Sequence, residues 1–225
     1  MSRLHRGLIR VGPDLALLGV GLVLIVSIAA AFFYSGADGE SYSPLNHTVS
    51  ELGERGVSEL AALFNAGLIV GGLLIALYMV SLVLRFERRA GRILGVLGAA
   101  AGVAMALVGV VPVDVLEPHI VVAAVAFLLI LATALWFAVW CLRGDAPYPR
   151  WLGWFATVVV TLVVVFMLVP RILQPEFTFE MEYNLETPHP DVLLNSTFEW
   201  VVVLSAWIWI AGLAIHDRPR QGDKP

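Results

Sequence analysis

The chain has 225 residues, of which 59% are hydrophobic and 14% are charged, and its formal net charge is −4. A soluble domain of this length does not need so much apolar surface, so the composition excludes the ordinary soluble classes. It predicts an all-α integral membrane protein. The single cysteine, Cys141, excludes an intrachain disulfide and a cysteine zinc site, and we expect it to be a packed thiol.

The apolar residues fall into six blocks with ionisable side chains near their ends and none near their middles. Each block is roughly 18 to 25 residues long, which spans a hydrocarbon core of ~30 Å. Backbone groups find no water there, and the blocks lack the two-residue period of a membrane barrel. We therefore predict a single membrane domain, residues 1–225, with six helices. Their predicted ranges are about 13–34, 60–84, 93–113, 120–142, 151–170 and 198–215.

The first block begins among basic residues, as a signal peptide does, but its apolar stretch is too long for one. We therefore expect it to be retained as a membrane helix. Gly12 and Pro13 precede Asp14 at its start. A proline in the first turn and an acid beside it are typical of a helix N-terminus, so the sequence predicts that this helix begins at Pro13.

The third predicted helix carries small residues four positions apart, along two lines. They are Gly91, Gly95 and Ala99, and Gly98, Gly102 and Ala106. Such spacing lets the backbones of two membrane helices approach closely. We expect the third helix near the centre of the bundle, with the second helix packed against it.

Basic residues are distributed unevenly between the two ends of the predicted bundle. Six helices place both termini on one side, which holds 12 of the 14 Lys and Arg residues, while the other side holds Arg55 and Arg171. This asymmetry predicts a multi-pass protein of the cell membrane with both termini in the cytoplasm. The basic side suits anionic lipid head groups, so we expect membrane lipid as a partner and no nucleic acid.

The loops on the side opposite the termini, about 35–59 and 171–197, are longer than those on the terminal side. Function carried by loops is therefore predicted on the outer side. Residues 177–183 alternate apolar and polar side chains, which is the pattern of a half-buried strand. We expect this segment to cap the helix ends, with part of residues 35–46 as its candidate partner.

The stretch SPLNHTVSELG in the first outer loop contains a capping-box spacing, Thr48-x-x-Glu51, followed by Gly53. It predicts a short helical turn at the membrane surface. That turn leaves His47 and Ser50 without a role.

Further polar side chains are predicted at the same depth: Asn65 in the second helix, His119 opening the fourth and Glu199 opening the sixth. With the first loop they form a candidate site. Its residues are His47, Ser50, Glu51, Asn65, His119 and Glu199.

Two chemistries fit this set. His47, His119 and a carboxylate such as Glu199 could bind zinc with an open position for water. Alternatively, Ser50 could be a nucleophile with a histidine as base, Glu51 or Glu199 to orient it, and Asn65 to fix the loop or stabilise an oxyanion. A third interpretation is a hydrogen-bond network that ties the first loop to the helices. The sequence contains neither His-Glu-x-x-His nor Gly-x-Ser-x-Gly to decide among them.

These residues resemble a prokaryotic membrane family, domain of unknown function 998, over about residues 10–217. The likeness is carried by Ser50-x-Leu52-Gly53, Phe64-Asn65, His119 and Glu199. The resemblance implies a six-helix bundle and points to the rim residues, and it names no substrate.

A more distant likeness is to the six-helix membrane proteins of the autophagy-modulator and GPI-remodelling group. Their second helix carries an asparagine, as Asn65 does here, and Glu51 stands where they have an aspartate. This likeness implies an activity directed at lipid near one leaflet. We thus expect an outward-facing polar pocket that acts on or binds lipid, the alternative being a non-catalytic membrane module.

Overall fold

The computed structural model describes residues 2–36, 39–175 and 190–218, and within these ranges the chain is helical and contains no strand. The long helices are α1 (Arg3–Phe32), α2 (Ala61–Arg85), α3 (Arg89–Val110), α4 (Leu116–Leu142), α5 (Arg150–Leu173) and α6 (Leu194–Asp217). All six are long and apolar enough to cross a membrane, which confirms the predicted fold class. The alternating segment 177–183 lies outside the described residues.

The helices form a ring in chain order, because each packs on the next and α6 closes the ring against α1. Asp14 of α1 lies 2.6 Å from Arg218, and Arg85 of α2 lies 2.7 Å from Asp217 of α6. The start of α1 and the ends of α2 and α6 therefore meet at one end of the bundle, the termini end. The opposite end, here called the rim, carries the loops between α1 and α2, between α3 and α4, and before α6.

Small residues bring α2 and α3 into backbone contact, as their spacing predicted. A Cβ atom added to Gly72 would lie 2.6 Å from the carbonyl oxygen of Gly102, and one added to Gly102 would lie 2.7 Å from that of Gly72. We expect α3 near the centre of the bundle, but α3 is one member of the ring and is less buried than α2. α2 buries 56% of its span against 39% for α3, because α2 packs extensively on both α1 and α3.

The first helix begins ten residues earlier than predicted. Ser2 caps α1 by accepting a hydrogen bond from the backbone of His5 at 3.3 Å, and Pro13 lies inside the helix. A proline removes one backbone hydrogen bond, and its ring crowds the residue before it. That residue is Gly12, which has no Cβ and packs against Ser81 of α2, so the helix continues through Pro13. Asp14 is therefore not in a first turn.

A buried polar cluster holds the termini end together. The carboxylate of Asp217 accepts hydrogen bonds from Tyr78 at 2.8 Å and Tyr148 at 3.0 Å, and it pairs with Arg85. The cluster links α2, the α4–α5 loop and α6. Cys141 packs beside this loop as a buried free thiol, as predicted.

Candidate functional site

The first rim loop folds into the short turn that the capping box predicts. A 3-10 turn runs from Ser50 to Gly53, and the Glu51 carboxylate accepts hydrogen bonds from the backbone and hydroxyl of Thr48 at 2.6 and 3.0 Å. The Thr48 hydroxyl in turn accepts from the backbone of Glu51 at 3.4 Å. Glu51 is buried, and its hydrogen bonds to Thr48 stabilise the turn.

The turn presents Ser50 to His119, which is 69 positions away in the chain. The Ser50 hydroxyl oxygen lies 3.0 Å from Nε2 of His119. Nδ1 of the same ring lies 2.7 Å from the carbonyl oxygen of Val111. A carbonyl only accepts, so Nδ1 carries the proton and Nε2 offers its lone pair to the Ser50 hydroxyl. This tautomer is the one that a base needs in order to take a proton from serine.

The group that orients His119 is thus a backbone carbonyl and not a carboxylate. We expect Glu51 or Glu199 to orient the histidine base, and neither carboxylate is hydrogen-bonded to the His119 ring, whose partners are Val111 and Ser50. Val111 ends α3 and His119 lies in the first turn of α4, so the short α3–α4 loop brings the carbonyl and the ring together. A backbone acceptor has no signature in the sequence, which is why the pattern of side chains pointed elsewhere.

Two side chains from the helices fix the loop on either side of Ser50. The Glu199 carboxylate of α6 accepts a hydrogen bond from the backbone of Val49 at 3.0 Å. The Asn65 amide of α2 donates one to the carbonyl of Gly53 at 2.8 Å. Both side chains are buried. Of the two roles predicted for Asn65, this hydrogen bond supports the one in which Asn65 fixes the loop.

His47 lies in a separate aromatic pocket. Its ring centroid is 5.3 Å from those of Tyr34 and Tyr42, and its Nδ1 lies 2.9 Å from the Asn46 side-chain oxygen. Its Nε2 lies 4.0 Å from Glu51. Burial, reinforced by the charge of Glu51, raises the pKa of both tyrosines well above the usual range, so their hydroxyls stay protonated.

The predicted zinc centre does not form in this geometry. His47 faces the tyrosines and Glu51, whereas His119 faces Ser50 and the carbonyl of Val111. Within residues 2–36, 39–175 and 190–218, no group of three or more His, Cys, Asp or Glu residues is placed to hold a metal ion. The zinc set of His47, His119 and Glu199 is therefore not supported.

A cavity of about 110 Å³ opens beneath the Ser50–His119 pair. It lies inside the ring of helices, among α2, α3, α4 and α6, and its walls are almost wholly apolar. Ser50, Asn65, His119 and Glu199 form its polar mouth. Ser50 and His119 therefore lie where the polar rim meets the apolar interior of the ring.

A second hollow of about 90 Å³ adjoins the first. It lies between α4, α5 and α6 and shares Ser50, His119 and Glu199 with the cavity. Arg171 of α5 and Asn195 of α6 border it. Neither residue is among those that the sequence predicts for the site. The signal that could have found Arg171 was its position as one of two basic residues on the rim side.

An ion pair closes the rim beside His119. Arg55 of the first loop binds Asp114 of the α3–α4 loop at 2.7 Å, and this contact lowers the pKa of Asp114. Burial, with the charge of Asp114 adding to it, raises the pKa of Glu54 to about 7. The loop that carries Ser50 thus also carries a carboxyl group that titrates near neutral pH.

Comparison with known proteins adds one finding to this geometry. Residues 17–216 match the family described as Protein of unknown function (DUF998). The chain belongs to this family. No curated protein and no solved structure matches it, so the likeness to the autophagy-modulator and GPI-remodelling group gains no support. The match covers all six helices in whole or in large part and includes every residue of the candidate site, and the resemblance read from the sequence is confirmed.

Proposed function

We propose that this DUF998 protein is a multi-pass enzyme of the cell membrane that acts on an acyl ester of a membrane lipid. Ser50 is the nucleophile and His119 is the general base. The observation that carries the proposal is the hydrogen bond between Ser50 and Nε2 of His119, made while the carbonyl of Val111 holds the proton on Nδ1. A serine hydroxyl becomes a nucleophile when a base of this tautomer lies within hydrogen-bond reach.

The cavity supports lipid as the class of substrate. A water-soluble substrate would gain little from an apolar space inside a ring of membrane helices, whereas an acyl chain would be buried there as favourably as in the bilayer. The polar mouth places the ester, the point at which a lipid turns from apolar to polar, beside Ser50. The excess of Lys and Arg at the termini end supports a rim that faces outward.

The test is covalent labelling of the full chain in dodecyl maltoside micelles with an alkyl fluorophosphonate, read by intact mass and peptide mapping. We expect one adduct, on Ser50. Ser50→Ala should abolish it while changing the free energy of unfolding by about 1 kcal/mol or less, because the His119–Val111 hydrogen bond remains. His119→Ala should slow the labelling by about 10² to 10⁴.

The matched control is Ser58→Ala. Ser58 is a buried serine of the same loop whose hydroxyl makes no hydrogen bond within the described structure. Its variant should label at the wild-type rate. A wild-type chain that is folded and yet takes up no probe on Ser50 contradicts the enzyme proposal, and leaves the non-catalytic membrane module as the function.

A further inference from the structure

The Ser50–His119 pair stands at the junction of two hollows, and the chemistry of their walls differs. Both hollows have mostly apolar walls and share Ser50, His119 and Glu199. The hollow between α4, α5 and α6 is in addition bordered by the guanidinium of Arg171 and the amide of Asn195. A substrate that reacts at Ser50 and fills both hollows must therefore have an apolar arm and a polar arm that meet at the reacting carbonyl.

The residues that line the cavity extend over the depth of one membrane leaflet. Its lining runs along α3 from Val108 to Gly98 and along α4 from His119 to Thr133. At about 1.5 Å per residue these stretches extend for roughly 15 and 21 Å. Half of a hydrocarbon core of ~30 Å is ~15 Å, so the lining covers the depth that one acyl chain reaches in the bilayer.

Arg171 gives the second hollow a positive charge, in addition to the Glu199 carboxylate that both hollows share. Arg171 lies in the last turn of α5, one residue after Pro170, and one N–H of its guanidinium donates to the carbonyl of Met167 at 2.6 Å. This contact turns the arginine back along its own helix, and the side chain borders the hollow. A guanidinium fork matches the oxygens of a phosphate group, and an arginine at a helix end lies at the depth of lipid head groups.

Resting on the proposed function, we infer that the substrate is a glycerophospholipid, and that Arg171 binds its phosphate while the ring cavity holds the acyl chain to be transferred. The glycerol then bridges the two hollows and places its ester carbonyl at Ser50. A neutral glyceride fills the same cavity but offers Arg171 no anionic group.

The bond changes are those of acyl transfer. The Ser50 oxygen bonds to the ester carbonyl carbon, its proton passes to Nε2 of His119, and the ester bond to the glycerol oxygen breaks. His119 returns the proton to that oxygen, which releases a lysophospholipid and leaves the acyl group on Ser50. Water then attacks the acyl-serine and gives a proton to Nε2. The bond between the acyl carbon and the Ser50 oxygen breaks, Nε2 returns the proton to that oxygen, and a fatty acid leaves.

The experiment compares two substrates with identical chains, dioleoyl phosphatidylglycerol and dioleoylglycerol, each in dodecyl maltoside micelles with the full chain. The release of oleate is measured by mass spectrometry. We expect the phospholipid to react about tenfold faster or more, the size of one charge-assisted hydrogen bond. Arg171→Gln should remove this advantage and leave the slower reaction of dioleoylglycerol unchanged.

Arg55→Gln is the matched control, because it removes the same charge from the rim at a residue that binds Asp114 and does not border either hollow. It should keep the preference for phospholipid. Equal rates for the two lipids, or a preference that survives in Arg171→Gln, would overturn the inference. Suppression of the phospholipid reaction by inorganic phosphate, to the same extent as by Arg171→Gln, would also overturn it. The arginine would then bind free phosphate.

Labelling with fluorophosphonate separates this inference from the proposed function. The probe has no glycerophosphate head group, so Arg171→Gln should label on Ser50 at the wild-type rate. If Ser50 is labelled but phospholipid is not the preferred substrate, the inference about the substrate is wrong and the enzyme proposal stands. Absence of labelling in the wild type removes the proposed function itself.

Discussion

Glu199, near the start of α6, accepts a hydrogen bond at 3.0 Å from the backbone amide of Val49, the residue before Ser50. The two residues are 150 positions apart in the chain. A carboxylate that holds a backbone N–H makes a charge-assisted hydrogen bond, so this contact ties the rim loop to the helix that closes the ring.

Replacement of Glu199 should loosen the loop that carries Ser50. Glu199→Ala leaves the Val49 amide buried without this partner, and we expect a loss of about 2 kcal/mol in the free energy of unfolding and slower labelling of Ser50. Glu199→Gln keeps an oxygen acceptor and should retain most of the unfolding free energy and most of the labelling rate. Reversible unfolding in mixed micelles gives the energies. Glu117→Ala, an exposed acid in the first turn of α4, is the control and should unfold as the wild type does.

The stability of the rim should depend on pH through Glu54. Its folded-state pKa of about 7 lies above its ordinary value of 4.5, so the folded state binds this proton more tightly than the unfolded state does. The stabilising contribution is therefore complete below about pH 4.5 and is lost as the pH rises through about 7. Because the side chain is partly exposed, solvent screening reduces the effect to about 1 kcal/mol.

Glu54→Gln cannot ionise and should remove this dependence. The difference in unfolding free energy between wild type and variant, measured from pH 4.5 to 8, should change by about 1 kcal/mol in favour of the variant as the pH rises. A constant difference across this range would show that Glu54 titrates with an ordinary pKa.

The contact between α2 and α3 should not tolerate added side-chain volume. Gly102→Ala places a Cβ atom 2.7 Å from the carbonyl oxygen of Gly72, a backbone atom that cannot rotate away, and the helices must separate. We expect a loss of about 1 to 3 kcal/mol. Gly21→Ala in α1 is the matched control, because its Cβ meets nothing within 4 Å and alanine favours a helix. Equal stability of the two variants would contradict the close approach.

The cluster around Asp217 should be the main polar support of the termini end. Asp217→Ala leaves Arg85, Tyr78 and Tyr148 without their shared acceptor, and we expect a loss of about 3 kcal/mol. Asp145→Ala, which removes an exposed acid from the neighbouring α4–α5 loop, should cost less than about 0.5 kcal/mol. Labelling of Ser50 in the surviving folded fraction of Asp217→Ala should match the wild type, since the cluster is at the other end of the bundle.

The sequence by itself determined the six membrane helices, the packing of α2 on α3, and the turn between Thr48 and Gly53. Each of these depends on residues close together in the chain: a run of apolar side chains, small residues four apart, or a side chain that caps its own turn. Such interactions are the same in almost any tertiary context. The start of α1 was missed because the effect of Pro13 depends on Gly12 and on the helix packed against it.

Only the tertiary structure decided which of the predicted site residues meet. His47 and His119 were equal candidates as a base, and the rotation of α4 about its axis together with the short α3–α4 loop selected His119 for Ser50. The same packing separated the two histidines, placed Glu199 against the backbone of Val49, and placed Arg171 in the hollow that Ser50 and His119 also line. Hydrophobicity places a polar residue at a depth in the membrane, but which face of a helix meets which loop is set by side-chain packing around the whole ring.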